Sequence, residues 1–144
     1  MIIREDSANV AEYVAEYVCK RINEFKPNAS KPFVLGLPTG STPIKTYERL
    51  VKYYEAGKLS FEHVVTFNMD EYCNISHEHP ESYHFFMWKH LFGKVNIKPK
   101  NVNILDGNAS DLQKECLQYE EKILSYGGIE LFLAGIGPDG HIAF

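Results

Sequence analysis

VLGLPTGSTP, residues 34–43, is a short apolar run that stops at a turn of glycine, serine and threonine. Phe33, Val34 and Leu35 read as a buried strand, and Thr42-Pro43 reads as an N-cap followed by proline at the first helical position. The turn therefore opens a helix. Backbone N–H groups at a helix start, together with the positive end of its dipole, attract an anion, and Gly36 and Gly40 let a backbone come close to it. A phosphate is the natural guest. No lysine follows Gly40 and the run from Gly36 is too short for a Walker loop, which disfavours a nucleoside triphosphate. Taken alone, the same letters also suit an ordinary strand-to-helix turn.

Outward from this stretch the chain alternates strands and helices, which predicts an α/β fold with a mainly parallel sheet. Asp6 and Ser7 offer caps for a helix through about Phe25, in which Val10, Val14, Tyr17, Val18 and Ile22 recur at helical spacing. After the glycine turn, Ile44, Tyr47, Val51 and Tyr54 line one face of a second helix that Gly57 ends. HVVTF, residues 63–67, is a β-branched run that delivers Asp70 and Glu71 beyond its carboxyl end. Ligands of open parallel sheets sit outside that end, so the two carboxylates are placed for chemistry. Adjacent residues of an extended segment diverge, however, so one should face a pocket and the other should serve the structure.

Ser82 is a candidate cap for an aromatic-rich helix to about Phe92, with Tyr83, Phe86, Met87 and Leu91 read as core. His77 and His79 stand two apart, but no further ligand cluster accompanies them, and no metal is expected. Val102 to Leu105 is a third short strand. Ser110 with Gln113 reads as a capping box for a helix whose Leu112, Cys116, Tyr119 and Ile123 form one apolar stripe. Glu130 to Ala134 is a fourth strand that runs into GIGPDGH, residues 135–141. Asp139 and His141 are close enough in a turn for their side chains to meet, the carboxylate then fixing the imidazole tautomer. Pro-Asp-Gly is equally a plain turn sequence.

The chain has 144 residues, 44% hydrophobic and 24% charged, which fits one domain over residues 1–144. A formal net charge of −4 argues against nucleic-acid or membrane-surface partners, so a phosphate would be held by local geometry. No apolar run approaches the roughly 20 residues that span a bilayer, and the first residues lack the form of a signal peptide. Cys19, Cys73 and Cys116 are an odd number, far apart, and read as reduced thiols of a cytoplasmic protein.

LGLPTGSTP at 35–43, TFNMDEY at 66–72, HPESYHFFMW at 79–88 and GIGPDGHIAF at 135–144 together closely resemble the glucosamine-6-phosphate deaminases, in order and spacing as well as in letters. The resemblance implies a Rossmann-like three-layer fold, a homo-oligomer (commonly a hexamer), and conversion of D-glucosamine 6-phosphate and water to D-fructose 6-phosphate and ammonia without cofactor. On this resemblance Asp70 is the catalytic proton acceptor, Asp139 and His141 promote ring opening, and Thr39, Gly40, Ser41 and Thr42 hold the phosphate. The chain ends at about half the family's usual length, without the carboxylate that follows the HIAF segment and the later basic residues. It is thus expected to be a C-terminally truncated piece, with half an active site and bare apolar surface. Cys73-Asn74-Ile75-Ser76 stands where the family usually carries a Val-Gly-Leu-Pro type of segment, which leaves the path beside Asp70 free to differ. Two other readings compete: a non-catalytic sugar-phosphate-binding or regulatory subunit, and a related enzyme such as 6-phosphogluconolactonase, disfavoured by the NMDEY setting of Asp70.

Overall fold

The structure, a computed structural model, describes residues 1–137 and 139–142. Helix α1 spans Ser7–Phe25, and the Asp6 side chain caps it by accepting from the Asn9 N–H at 2.8 Å. Strand β1 is Phe33–Leu37 and helix α2 is Ile44–Glu55, followed by strand β2 at Val64–Asn68 and helix α3 at Tyr83–His90. Strand β3 is Val102–Asn103, helix α4 is Leu112–Ser125 and strand β4 is Leu131–Phe132. All strand pairs are parallel, and the sheet order is β3-β2-β1-β4.

Every residue of β1 and β2 is buried, as continuous apolar strands covered on both faces require. Alternation along the strands divides them between two cores. Phe33, Leu35 and Leu37 pack with Val18 and Ile22 of α1 and with Leu50 of α2. Val34, Val65 and Phe67 face the other way, against Tyr119 and Ile123 of α4. Helices thus lie on both faces of the sheet, the expected three-layer arrangement. Among the described residues no helix is long and apolar enough to cross a membrane.

Three local expectations are corrected. Thr42 does not cap α2: the helix starts at Ile44, Pro43 already has helical backbone (φ −76°, ψ −10°), and no side chain caps it. The proline ring presets the helical φ, so the chain enters the helix through a turn instead of a cap. Ser110 does not cap α4 either. Asp111 does so, accepting from the Lys114 N–H at 2.9 Å, an ionised oxygen being the stronger acceptor. Finally, the α4 stripe is only half used, because Tyr119 and Ile123 reach the sheet while Leu112 and Cys116 stay exposed. No residue of α4 is fully buried. On α4, Leu117 is 65% and Leu124 72% exposed. Ala143 and Phe144 lie outside the described residues.

Candidate active site

Parallel pairing fixes which rim each loop occupies. Leu37 pairs with Asn68 at the ends of β1 and β2, so the turn at 39–42 and the Asp70 segment leave the sheet side by side. Strand β4 joins β1 on the opposite edge from β2, which makes the gap between β1 and β4 the point where strand order reverses. A crevice forms at such a point. The loop 135–141 leaves at that same rim, next to the turn after β1.

The turn after β1 is tied down from below. Asn68, buried, donates from Nδ2 to the Leu37 carbonyl at 3.0 Å. The Tyr47 hydroxyl, on α2, donates to the Pro38 carbonyl, and burial raises its pKa far above the usual phenol. Beyond these anchors Thr39 is half-buried, and Gly40, Ser41 and Thr42 are exposed at the mouth of the turn. Among the described residues nothing accepts from the backbone N–H groups of 39–42. Such an arrangement offers oriented donors to an anion.

Asp70 and Glu71 separate as their sequence position demands. Glu71 is the structural member: Oε1 accepts from the Tyr72 and Tyr83 N–H groups and Oε2 from the His84 N–H, each at 2.9 Å. With Ser82 accepting from the Phe85 N–H at 3.0 Å, the first turn of α3 is satisfied by its own chain. Asp70 makes none of these bonds. Burial, and then the charge of Glu71, raise its pKa above the usual carboxylate. Glu71→Ala should lower unfolding stability by about 1–3 kcal/mol through orphaned N–H groups. Denaturant unfolding measures this, and an unchanged midpoint would remove Glu71 from its role.

The path beside Asp70 keeps its backbone turn without glycine. Asn74 holds a left-handed conformation (φ 59°), one that asparagine tolerates better than most residues, and its N–H donates to the Gly107 carbonyl at 3.0 Å. Gly107 lies directly against this segment: a Cβ there would fall 1.9 Å from the Tyr72 carbonyl oxygen. Gly107→Ala is expected to destabilise by about 1–3 kcal/mol, as overpacking against backbone does. A thermal melt matching the parent would contradict that contact. His77 and His79 do not form a pair of ligands. His77 stacks on His84 with ring centroids 4.7 Å apart, whereas His79 Nδ1 accepts from the Glu81 N–H at 3.1 Å. Among the described residues no three His, Cys, Asp or Glu side chains gather as a metal ion would need.

Asp139 and His141 do meet. The Asp139 carboxylate bonds Nδ1 of His141, and this imidazole holds the Asp139 pKa below the usual range. A short turn brings them together, with the Gly137 N–H donating to the His141 carbonyl at 2.8 Å and the Gly140 N–H to the Gly137 carbonyl at 2.9 Å. The imidazole lies over Gly137, where a Cβ would be 2.2 Å from its Cε1. Pro138, part of the expected Pro-Asp-Gly turn, is outside the described residues. The carboxylate on Nδ1 orients the ring.

Sequence reasoning placed Tyr83 in the core, but it is only half-buried and belongs to this rim. Its ring centroid is 4.8 Å from that of Tyr72, with the planes tilted by 39°. Burial, the neighbouring Tyr72 side chain and the nearby Asp70 charge raise its pKa to about 12. The second position after the HPE turn, next to the Ser82 cap, was the available signal. A phenol among phenylalanines at 85 and 86 is the residue with a reason to be polar.

Comparison with known proteins agrees with this architecture. The chain is 56% identical over 144 residues to a glucosamine-6-phosphate deaminase of Drosophila melanogaster, covering all of this chain and 53% of the relative. It is 61% identical over 135 residues to that of Pasteurella multocida, covering 94% of this chain and 51% of the relative. The chain therefore spans about half the length of the curated relatives it matches. Among solved structures, a monomeric glucosamine-6-phosphate deaminase superposes with a TM-score of 0.90 at 37% identity, covering 96% of this chain and 56% of that one. A 6-phosphogluconolactonase from Thermotoga maritima shares the fold, with a TM-score of 0.80 at 24% identity, over 99% of this chain and 62% of that one. The family model for glucosamine-6-phosphate isomerases/6-phosphogluconolactonase matches residues 5–143, and the chain belongs to that family.

Proposed function

We propose that this chain supplies the phosphate-holding loop and the proton-transfer groups of a glucosamine-6-phosphate deaminase. The observation that carries this reading is the gathering of three elements at one rim of the sheet: the turn 39–42, the half-buried Asp70 and the Asp139–His141 pair. The identities of 56–61% to deaminases support the same choice over the lactonases, whose likeness is one of fold.

In this reading Thr39, Gly40, Ser41 and Thr42 receive the 6-phosphate, whose binding energy orients the sugar for the steps at its other end. His141, oriented by Asp139, accepts the proton of the anomeric hydroxyl and returns one to the ring oxygen, so the hemiacetal opens without net proton change. Asp70 then takes the proton from C2 of the open chain and delivers it to C1, turning the 2-amino aldose into a 2-imino ketose. Water adds to the imine carbon and ammonia leaves, giving fructose 6-phosphate. A carboxylate lifted above its usual pKa is the better base for this transfer. The cytoplasm is the location this metabolic reading suits, and the homo-oligomer implied by the resemblance goes with it; sedimentation of the protein carrying this chain tests the assembly.

The test is ammonia and fructose 6-phosphate release from glucosamine 6-phosphate by the protein carrying this chain. Turnover is expected there, and little or none from residues 1–144 alone. Binding of the sugar phosphate without turnover in the complete protein would favour a non-catalytic binding subunit. Absence of binding would refute both.

A further inference from the structure

Asn68 is the last residue of β2 and stands opposite Leu37, the last residue of β1. It is only 2% exposed, and its Nδ2 donates to the Leu37 carbonyl at 3.0 Å. The Tyr119 hydroxyl lies 2.9 Å from its backbone carbonyl, which ties the same end of β2 to α4. Leu37 comes two residues before Thr39, and Asn68 two residues before Asp70. With the strand pairing ending at this residue pair, the side-chain bond links the two strands where their loops part. Burying an amide costs stability unless its atoms are bonded, and among the described residues no partner reaches Asn68 Oδ1. Stability alone therefore does not account for an asparagine here, and the bond across to β1 gives it a reason.

A sugar phosphate has a fixed covalent distance between its phosphate and the carbons that exchange protons. A site that acts on both ends must hold its phosphate donors and its carboxylate at a matching separation, and a misplacement of about 1 Å can cost about 10²-fold in rate. Here the two groups hang on loops of different strands, and such loops need a supporting layer of contacts to stay in register. We propose that Asn68 is the positioning residue that couples the phosphate turn to Asp70. Its side chain holds the end of β1, from which the turn leaves, and its backbone begins the segment that carries the carboxylate. Order gained when an anion seats on residues 39–42 is thereby passed to the Asp70 segment. This rests on the deaminase reading for the identity of the ligand, but not for the link between the two loops.

Asn68→Leu in the protein carrying this chain removes the amide and keeps much of its size. Hydrogen–deuterium exchange, with and without saturating inorganic phosphate, reads the link directly. In the parent, phosphate should slow exchange at residues 39–42 and at residues 69–72 together. In the variant it should still slow 39–42, whose own N–H groups are intact, and leave 69–72 unchanged. Without ligand, exchange at 39–42 should already be faster in the variant than in the parent. With glucosamine 6-phosphate, kcat of the variant should fall about 10²-fold while KM moves by less than about threefold, a split that lost stability alone does not produce. Protection confined to 39–42 in the parent, protection of 69–72 that persists in the variant, or a parent-like kcat would overturn the proposal. So would a variant turn that no longer responds to phosphate, since Asn68 would then build the anion site instead of linking it to Asp70. Should Asn68→Leu fail to fold, Asn68→Ala removes the amide without added bulk and is read in the same way. If the parent neither responds to phosphate nor turns over glucosamine 6-phosphate, the deaminase reading fails. The ligand-free comparison still decides the link in that case, and equal exchange at 39–42 in parent and variant would overturn it.

Discussion

Asp70→Asn in the protein carrying this chain should lower kcat for glucosamine 6-phosphate about 10²–10⁴-fold while KM moves by less than about threefold, the pattern of a lost general base. Asparagine keeps the shape and cannot accept the C2 proton. The same change should make the protein more stable at neutral pH. Burial and the charge of Glu71 raise the folded-state pKa of Asp70, so its contribution to stability is complete below the unfolded pKa and is lost as pH rises through the folded one. Above that folded-state pKa the parent carries an ionised carboxylate that the fold disfavours, and the variant does not. Melting temperatures of the two should differ at neutral pH and draw together as the pH falls into the carboxylate range. A variant that keeps its activity, or that melts lower than the parent at pH 7, would contradict the assignment.

Asp139→Asn should cost about 10²–10³-fold in kcat, and His141→Asn at least as much, with the double variant close to the worse of the two. The basis is the bond between the Asp139 carboxylate and Nδ1, which an amide can replace with the wrong tautomer. Substrate binding should survive, because the pair leaves β4 on the far side of β1 from Asp70 and the phosphate turn has its own anchors. The two carboxylates also differ in where they titrate. Asp139 is held below the usual range by His141, while Asp70 is held above it. Of the two carboxylates Asp70 should therefore titrate at the higher pH, and its contribution to the acidic limb of the kcat/KM profile should persist unshifted in Asp139→Asn. Losses at positions 139 and 141 that multiply would show two independent roles instead of one pair.

The parts of this fold that could be read in the sequence are those written in apolar period and local hydrogen-bond chemistry. Strand β1 starts at the expected Phe33, helix α1 comes out at its expected bounds, and Ser82 caps α3 as its place before an aromatic helix suggested. The separation of Asp70 from Glu71 followed from strand geometry alone, while the meeting of Asp139 with His141, two residues apart, was one of two readings of a turn. Less was legible where the outcome depends on distant packing. The sheet order, which puts β4 beside β1, has no local signal. The α4 stripe looked uniform, yet only Tyr119 and Ile123 find the sheet, because β1 and β2 offer that face just Val34, Val65 and Phe67. Tyr83 read as core since its spacing with Met87 is helical; its place at the rim showed only once its ring was seen against Tyr72, beside the Asp70 segment.

The pairing of β1 with β4, Leu35 opposite Leu131, has a temporal consequence. During synthesis the phosphate turn and Asp70 leave the ribosome early and can dock through β1 and β2, neighbours in sequence as in space. The imidazole, on the loop after β4, is made later. On the proposed reading, the groups that recognise the sugar phosphate thus emerge before the pair that opens its ring.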